Sequence, residues 1–473
     1  MKSMVLGKQK QNNPLAKSFT FFSLVRFALP TIGTMFIYSL YTVIDGIFIA
    51  QYAGENALAA TNIAYPGVNL LLGVAIMFGA GGSAVVAKTL GEKKPVLASR
   101  RFTLLLSTAL TAGVLMAAMG FFFLDSVLSL LGATDLLWED CRAYLEPMII
   151  FAPIIVVKFV FDSFFVTAGR PELGFYLSIA SGIMNVVLDY VLLDYYSFGV
   201  GGAAYATVAA YSCSAVAGLI YFLNKRSILS FSRFTFEPRT ILKAMSNGSA
   251  QMVNQLSVGV TTFLFNILTL RYAGEDGVAA ITIIFYAEML LTAVYIGYTS
   301  GVAPIFSFHF GARNDQEIRS LVRKSLSFIT LAAVVSFVSA QVFAGNLVQS
   351  FAPEGSPVYA IALPGFRLFA LSFLFCGFNL FTPGFFTAIS AGRASAFCSC
   401  ARDFVAISGY LLLLPMFFGL NGIWLAVPAA DATILGLSFY LLHDFACRKS
   451  SAALEVRSAN LRSALNNHLT DEP

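Results

Sequence analysis

Residues 51–91 and 271–311 are one segment written twice. Gln51-Tyr52-Ala53-Gly54-Glu55 returns as Arg271-Tyr272-Ala273-Gly274-Glu275. The match continues without a gap through Ala59-Ala60 and Ala279-Ala280, then Leu70-Leu71 and Leu290-Leu291, to Gly91 and Gly311. Roughly 13 of 41 aligned positions are identical at an offset of 220 residues, close to half the chain. An internal repeat fixes architecture before local preferences do, because each copy is a unit that packs in the same way. Both copies here are apolar, and such repeats build transporters from two equivalent halves.

The apolar character is general. The chain is 58% hydrophobic and 12% charged, against about 25% charged residues in soluble domains. Apolar stretches of about 20 residues mark membrane-crossing helices. Twelve occur, near 22–46, 56–85, 102–124, 143–167, 173–195, 199–223, 248–271, 276–306, 322–344, 358–388, 395–418 and 421–446. A barrel would need strands alternating apolar and polar residues, and Leu411–Leu414 and Phe121–Leu124 do not alternate. The expected fold is an all-α polytopic membrane protein with twelve transmembrane helices.

Basic residues set the orientation. They gather in the N-tail (Lys2, Lys8, Lys10, Lys17) and after span 2 (Lys88, Lys93, Lys94, Arg100, Arg101). More follow span 6 (Lys225, Arg226, Arg233, Arg239, Lys243), span 8 (Arg313, Arg319, Arg323, Lys324) and span 12 (Arg448, Lys449, Arg457, Arg462). Arg170, Arg393 and Arg402 read as residues of the short loops after spans 4 and 10. The opposite loops hold only Arg142 and Arg271, at span ends. By the positive-inside rule both termini are cytoplasmic. The net charge of +5 expresses this asymmetry and not a nucleic-acid surface. The organisation expected is an N-tail (1–20), an N-lobe of spans 1–6 (21–224), a cytoplasmic linker (225–247), a C-lobe of spans 7–12 (248–446) and a C-tail (447–473). Six spans return the chain to its starting side, so the repeats are parallel.

Further repeat matches join Gly199-Val200-Gly201-Gly202 to Gly419-Leu420-Asn421-Gly422, and Thr167-Ala168-Gly169-Arg170 to Ser390-Ala391-Gly392-Arg393 with a small insertion. The run Gly79-Ala80-Gly81-Gly82-Ser83-Ala84 lacks the Lys-Ser/Thr ending of a P-loop and reads as a helix-packing face. Cys398 and Cys400 are too closely spaced for a zinc site and read as packing residues. His309 and His443 fall near span ends and read as interfacial.

Charges inside the spans carry the chemistry, since a carboxylate at mid-bilayer costs at least ~2.5–3.5 kcal/mol and needs a partner or a task. The candidates are Asp45, Asp189, Glu288 and Asp431. Lys158 and Asp162, spaced i and i+4, should neutralise each other on one helix face. Arg367 has no local partner in its span. Asn185 lies one turn before Asp189, and Tyr41 one turn before Asp45, so each pair shares a face. Thr207 lies in the neighbouring span 6. Asp, Asn, Thr and Tyr oxygens suit a hard cation such as Na⁺, and two carboxylates close together in low dielectric also suit a proton. Asn185 and Thr207 could equally serve only as hydrogen-bonding groups within the bundle. Pro30 interrupts span 1 and permits a kink.

In this order the residues resemble the multidrug and toxic compound extrusion (MATE) transporters over nearly the whole chain. Asp45 with Gly54 and Ala59-Ala60 carries the likeness, with Gly169-Arg170-Pro171 leading to Asn185-Val186-Val187-Leu188-Asp189, and the glycines at 199–202 and 419–422. The resemblance points to the bacterial branch with an acid in span 8, here Glu288. It implies a multi-pass protein of the bacterial cytoplasmic membrane that exports organic cations and amphipathic drugs, driven by inward flow of Na⁺ or H⁺. It implies a cation site at Tyr41, Asp45, Asn185, Asp189 and Thr207, a helix kink at Pro30, and substrate handling at Glu288; Asp431 is expected on the same substrate path. Span 7 carries Asn266 and no acid, so a cation site of the kind some members hold there is not expected. No enzymatic cofactor and no nucleic-acid partner are expected, and the chain should act as a monomer. The alternative is a flippase of a lipid-linked precursor in the same broad superfamily, for which a basic cavity would be needed. A membrane-embedded enzyme lacks an H-E-x-x-H motif or a Ser–His pair in the spans. At the repeat offset Asp45 faces Phe265, Asp189 faces Gly409 and Glu288 faces Val68. The scaffold is therefore duplicated and the acids are not.

Overall fold

The computed structural model describes residues 13–224 and 227–470; the side chains of Glu55, Leu58 and residues 446–470 lie outside the description. Lys2, Lys8, Lys10, Lys225 and Arg226 are outside the described residues, as are the side chains of Arg448, Lys449, Arg457 and Arg462. Among the described residues there is no strand. The spans are α1 (Phe21–Ala53), α2 (Glu55–Gly91), α3 (Pro95–Phe122), α4 (Trp138–Ile150 with Ala152–Thr167), α5 (Pro171–Tyr195) and α6 (Gly199–Leu223). After them the chain is continuously helical over Pro238–Gly311. Its 74 residues would reach about 110 Å if straight, at 1.5 Å per residue. It is not straight: Gly274 leaves the helical region at φ 65°, ψ −157°, and the rings of Phe265 and Phe285 meet at 5.1 Å. The two arms are α7 and α8, before and after Gly274. There follow α9 (Asp315–Gln349), α10 (Pro357–Leu374 with Cys376–Ala388), α11 (Gly392–Phe418) and α12 (Leu420–Phe445). Ten described helices are long and apolar enough to cross a membrane; the α4 pair, bent by 61°, makes eleven, and the Gly274 reversal makes twelve. The bend in α4 falls where Pro153 stands in the first turn of the second half, since proline offers no N–H to the preceding turn. Helix α1 runs unbroken through Pro30. Helix α7 starts at Pro238, inside the stretch read as linker.

The repeat reappears in the turns. Of the positive-φ residues, all but Ser197 come in pairs about one repeat apart: Gly54 and Gly274, Lys93 and Arg313, Gly132 and Gly355, Gly169 and Ser390, Gly199 and Gly419. Glycine adopts positive φ without the Cβ penalty, so the pairs at Gly54 and Gly199 are legible from sequence. The pair at Gly169 corrects the sequence match, because its turn partner is Ser390 and not Gly392. Gly392 instead opens α11, as Pro171 opens α5.

The two lobes share one apolar core at the basic end and keep their own cores towards the other. One apolar core there includes Val85, Phe102 and Phe164 of the first lobe with Phe306, Ile318 and Phe385 of the second. Towards the opposite end two cores form, one around Ala60, Tyr144 and Val200, the other around Phe265, Phe366 and Ile423. Glycines allow the fusion. A Cβ on Gly91 would collide with the Phe308 carbonyl, and one on Gly311 with the Lys88 carbonyl. These are repeat-related contacts between α2 and α8. A Cβ on Gly81 would strike the Ala244 carbonyl of α7, and one on Gly79 would come within 2.7 Å of Ser163 Oγ in α4. The glycine run is therefore a packing face. Gly81→Ala should force α2 and α7 apart and destabilise the protein by about 1–3 kcal/mol, the range for overpacking. Gly436→Ala, where a Cβ meets nothing within 4 Å, should leave the thermal midpoint unchanged or raise it, by helix propensity. Thermal unfolding of the two purified variants measures both signs.

Candidate functional sites in the two lobes

In the first lobe α1, α5 and α6 bring their polar residues together. Asp45 and Asp189 lie within electrostatic reach of each other, carboxyl to carboxyl. Asp189 and Asn185 are buried on one face of α5, as their spacing requires. Asn185 Nδ2 donates to Thr207 Oγ1 at 3.3 Å. That orients the amide and leaves Asn185 Oδ1 free to accept. Asn185 Oδ1, Asp45 Oδ1 and both Asp189 oxygens are buried with no donor among the described residues. Buried polar atoms are nearly always paired, and four converging acceptors ask for a proton or an oxygen-loving cation. The donor set fits either. Tyr41, expected in the same shell, is turned elsewhere: its hydroxyl donates to Tyr211 at 3.3 Å. Sequence reasoning missed Tyr144, which lies in the electrostatic reach of both acids.

Lys158 behaves as expected. Its Nζ meets Asp162 Oδ2 at 2.8 Å, and the ammonium lies 3.9 Å from the ring centroid of Phe159 and 5.0 Å from that of Tyr211.

The second lobe holds a separate network. Arg402 is 8% exposed, so it is not the loop residue its position suggested. Its Nε and Nη2 donate to the two Asp431 oxygens at 2.6 and 3.2 Å, and Nη1 donates to Asp403 Oδ1 at 2.8 Å. Asn379 Nδ2 donates to Asp431 Oδ1 at 2.9 Å, Ser438 Oγ donates to Asn379 Oδ1 at 2.9 Å, and Asn254 Nδ2 donates to Asp403 Oδ2 at 3.1 Å. Helices α7, α10, α11 and α12 are thus joined by one network, with the Arg402 guanidinium between its two acids. Asp431, expected on the substrate path, is fully buried and held by Arg402 and Asn379. Glu288 of α8 is half-buried, lies within electrostatic reach of Arg402, Asp403 and Asp431, and has no hydrogen bond from its carboxyl among the described residues. Arg367 is exposed and meets none of the acids.

All three described π-helical turns lie beside these charges. They are Ile49–Ala53 after Asp45, Tyr190–Tyr195 after Asp189, and Ala401–Ala406, which contains Arg402 and Asp403. A π turn inserts a residue and re-aims the side chains around it, often at functional sites. That lets adjacent Arg402 and Asp403 both point inward, which an α-helical projection would not predict.

His309, read as interfacial, is 3% exposed, with the Lys17 backbone beside it. Cys398 packs in the core, whereas Cys400 is exposed.

Comparison with known proteins follows the same division into halves. The MatE family model matches residues 30–191 and again 251–409. The multidrug export protein MepA of Staphylococcus saprophyticus subsp. saprophyticus is 25% identical over 449 residues, covering 92% of this chain and 97% of its own. MepA of Staphylococcus aureus (strain MRSA252) is 23% identical over 443 residues, covering 92% and 97%. Among solved structures, a MATE in complex with MaL6 superposes with a TM-score of 0.85 at 21% identity, over 90% of this chain and 96% of that one. An outward-facing multidrug resistance MATE family transporter of the MOP superfamily also gives 0.85, at 22% identity, over 90% and 96%.

Proposed function

The chain belongs to the MatE family, and from that premise we propose that it is a secondary active multidrug efflux transporter. It exports organic cations and amphipathic drugs by antiport with Na⁺ or H⁺, through alternating access. The observation that carries this reading is the cluster of donor-less oxygens on Asp45, Asn185 and Asp189. Bound cation would satisfy them, so cation entry and release can be linked to the position of α1 against α5. Asp45 and Asp189 supply the charge, Asn185 supplies a neutral oxygen, and Thr207 holds the Asn185 amide in place. Tyr41 braces α1 through Tyr211. Pro30, with no N–H to donate into its turn, marks where α1 can bend.

Glu288 is the acid best suited to meet a cationic substrate, since Arg402 already compensates Asp403 and Asp431. Losing a charge-assisted contact costs about 1.5–3 kcal/mol, so Glu288→Gln should weaken export of a cationic dye roughly tenfold or more. Export of a neutral substrate should change little. Equal losses for both would count against a direct charge role. A lipid-precursor flippase fits less well, because Lys158 and Arg402 are both buried and paired with acids, which leaves neither of them free to line a phosphate site.

The direct test is ethidium-type dye transport in proteoliposomes, with Na⁺ and H⁺ gradients imposed separately. One of them should drive uphill dye movement. Failure of both would remove the antiport reading.

A further inference from the structure

We propose that residues 13–20 and 227–237 are exchanged straps that latch the two lobes together at the basic end, and that their release gates the opening of that end. The inference rests on the alternating-access reading above and goes beyond it to a device that lies outside the ion and substrate sites.

The first strap leads into α1 but docks on the other lobe. Asn13 Oδ1 caps the Leu15 N–H at 3.0 Å, starting the turn Pro14–Ala16. Pro14 lies on Gly169, where a Cβ would come within 2.8 Å of its ring. Leu15 and Phe19 are buried in the core shared by both lobes, and the Lys17 backbone passes beside His309 of α8. The Phe19 N–H then donates to Glu317 Oε1 at 3.1 Å, and its carbonyl accepts from Lys324 Nζ. Both partners are on α9. The chain has crossed from the α4–α5 turn of the first lobe to the second, and it returns to the first lobe two residues later as α1.

The second strap mirrors it. Leu229 is fully buried, and Phe231 packs on Phe102 of α3 with ring centroids 5.5 Å apart. The Ser232 N–H donates to Thr103 Oγ1 at 3.1 Å, and Glu237 Oε2 lies 3.6 Å from Arg101 Nε. Arg101 also donates to Thr89 of α2 at 2.8 Å. The next residue, Pro238, opens α7 in the second lobe. Helices α3 and α9 are repeat equivalents, so each lobe is entered by a segment clamped to the equivalent helix of the other.

The tether is short. At about 3.3–3.6 Å per extended residue, the two residues from Phe19 to Phe21 span at most ~7 Å. While Phe19 is docked, the basic end of α1 cannot move further than that from α9. Opening the seam therefore requires Phe19 to leave Glu317 and Lys324.

Spin labels at Val96 and Gln316, exposed and repeat-equivalent on opposite lobes, report the seam by pulsed dipolar spectroscopy. The protein is full length, cysteine-free and in lipid nanodiscs. Phe19→Ala with Glu317→Ala should increase the long-distance population several-fold. Glu317→Gln, which keeps an acceptor oxygen for Phe19, should match the parent. Thr103→Val, near-isosteric and on α3, removes the acceptor of the second strap's Ser232 N–H and should shift the population in the same direction. Unmoved distance distributions in both the double variant and Thr103→Val overturn the latch, including the case where only the thermal midpoint falls. The distances are independent of the dye assay: failure of gradient-driven transport would remove the antiport reading and leave the latch to stand or fall on the distances alone.

Discussion

Asp189→Asn should reduce efflux to the level of cells lacking the transporter while the protein still accumulates in the membrane. The substitution is nearly isosteric, and Asp189 is fully buried against Asp45, so it removes charge without removing packing. Stability and transport should part company. In the parent, two carboxyl groups face each other in a site with no donor among the described residues. In the variant, the Asn amide can donate to Asp45, a hydrogen bond worth about 0.5–1.5 kcal/mol, and like-charge repulsion disappears. The thermal midpoint should hold or rise. Cation linkage should vanish with transport: a cation binding only the folded parent at 100 times its Kd stabilises by about 2.7 kcal/mol, and the variant should lose that shift. Measuring the midpoint against added Na⁺ and against pH, in parent and variant, identifies the coupling ion. A variant that exports dye like the parent would remove Asp189 from the coupling site.

The sequence made the first lobe's site readable because it depends on helical periodicity within single spans. Asn185 and Asp189 share a face of α5, and Asp45 stands out as an acid in an apolar run. Tyr41 obeys the same periodicity and still turns to Tyr211, because the hydroxyl at the end of a long ring follows its neighbour and not its helix face. The second lobe was less legible for two physical reasons. Arg402 meets Asp431 across two helices, 29 residues apart, and no within-span pattern encodes that pairing. The π turn at Ala401–Ala406 also shifts the helical register, so an α-helical projection misjudges which side chains point inward. Arg402 falls inside the apolar stretch 395–418, but its charge groups it with Arg393 in the preceding loop. The duplicated turns were half visible: glycine announces Gly54 and Gly274, but nothing in their chemistry marks Lys93, Arg313 or Ser390 as left-handed.

Arg402→Ala should be among the most destabilising single substitutions in the second lobe. It removes three donated hydrogen bonds and leaves Asp403 and Asp431 buried without their cation. Breaking a buried ion pair from one side costs about 3–5 kcal/mol, enough to lower the thermal midpoint by several degrees and to cut the yield of folded protein. The cost should come from the stranded acids and not from a need for charge as such. Replacing the group together, as Arg402→Met with Asp403→Asn and Asp431→Asn, should recover most of the lost stability, because a neutral network of similar volume avoids desolvating ions. If Arg402→Ala alone were as stable as the parent, water would have to reach these acids, and the tight network among α7, α10, α11 and α12 would not describe the protein in its membrane. The triple variant then separates structure from transport. Glu288 keeps its carboxylate in it but loses the neighbouring guanidinium and both neighbouring acids. If Glu288 meets cationic substrate directly, export by the triple variant should persist and its preference for cations over neutral compounds should change. If the whole cluster were the substrate site, export should disappear although the fold is restored.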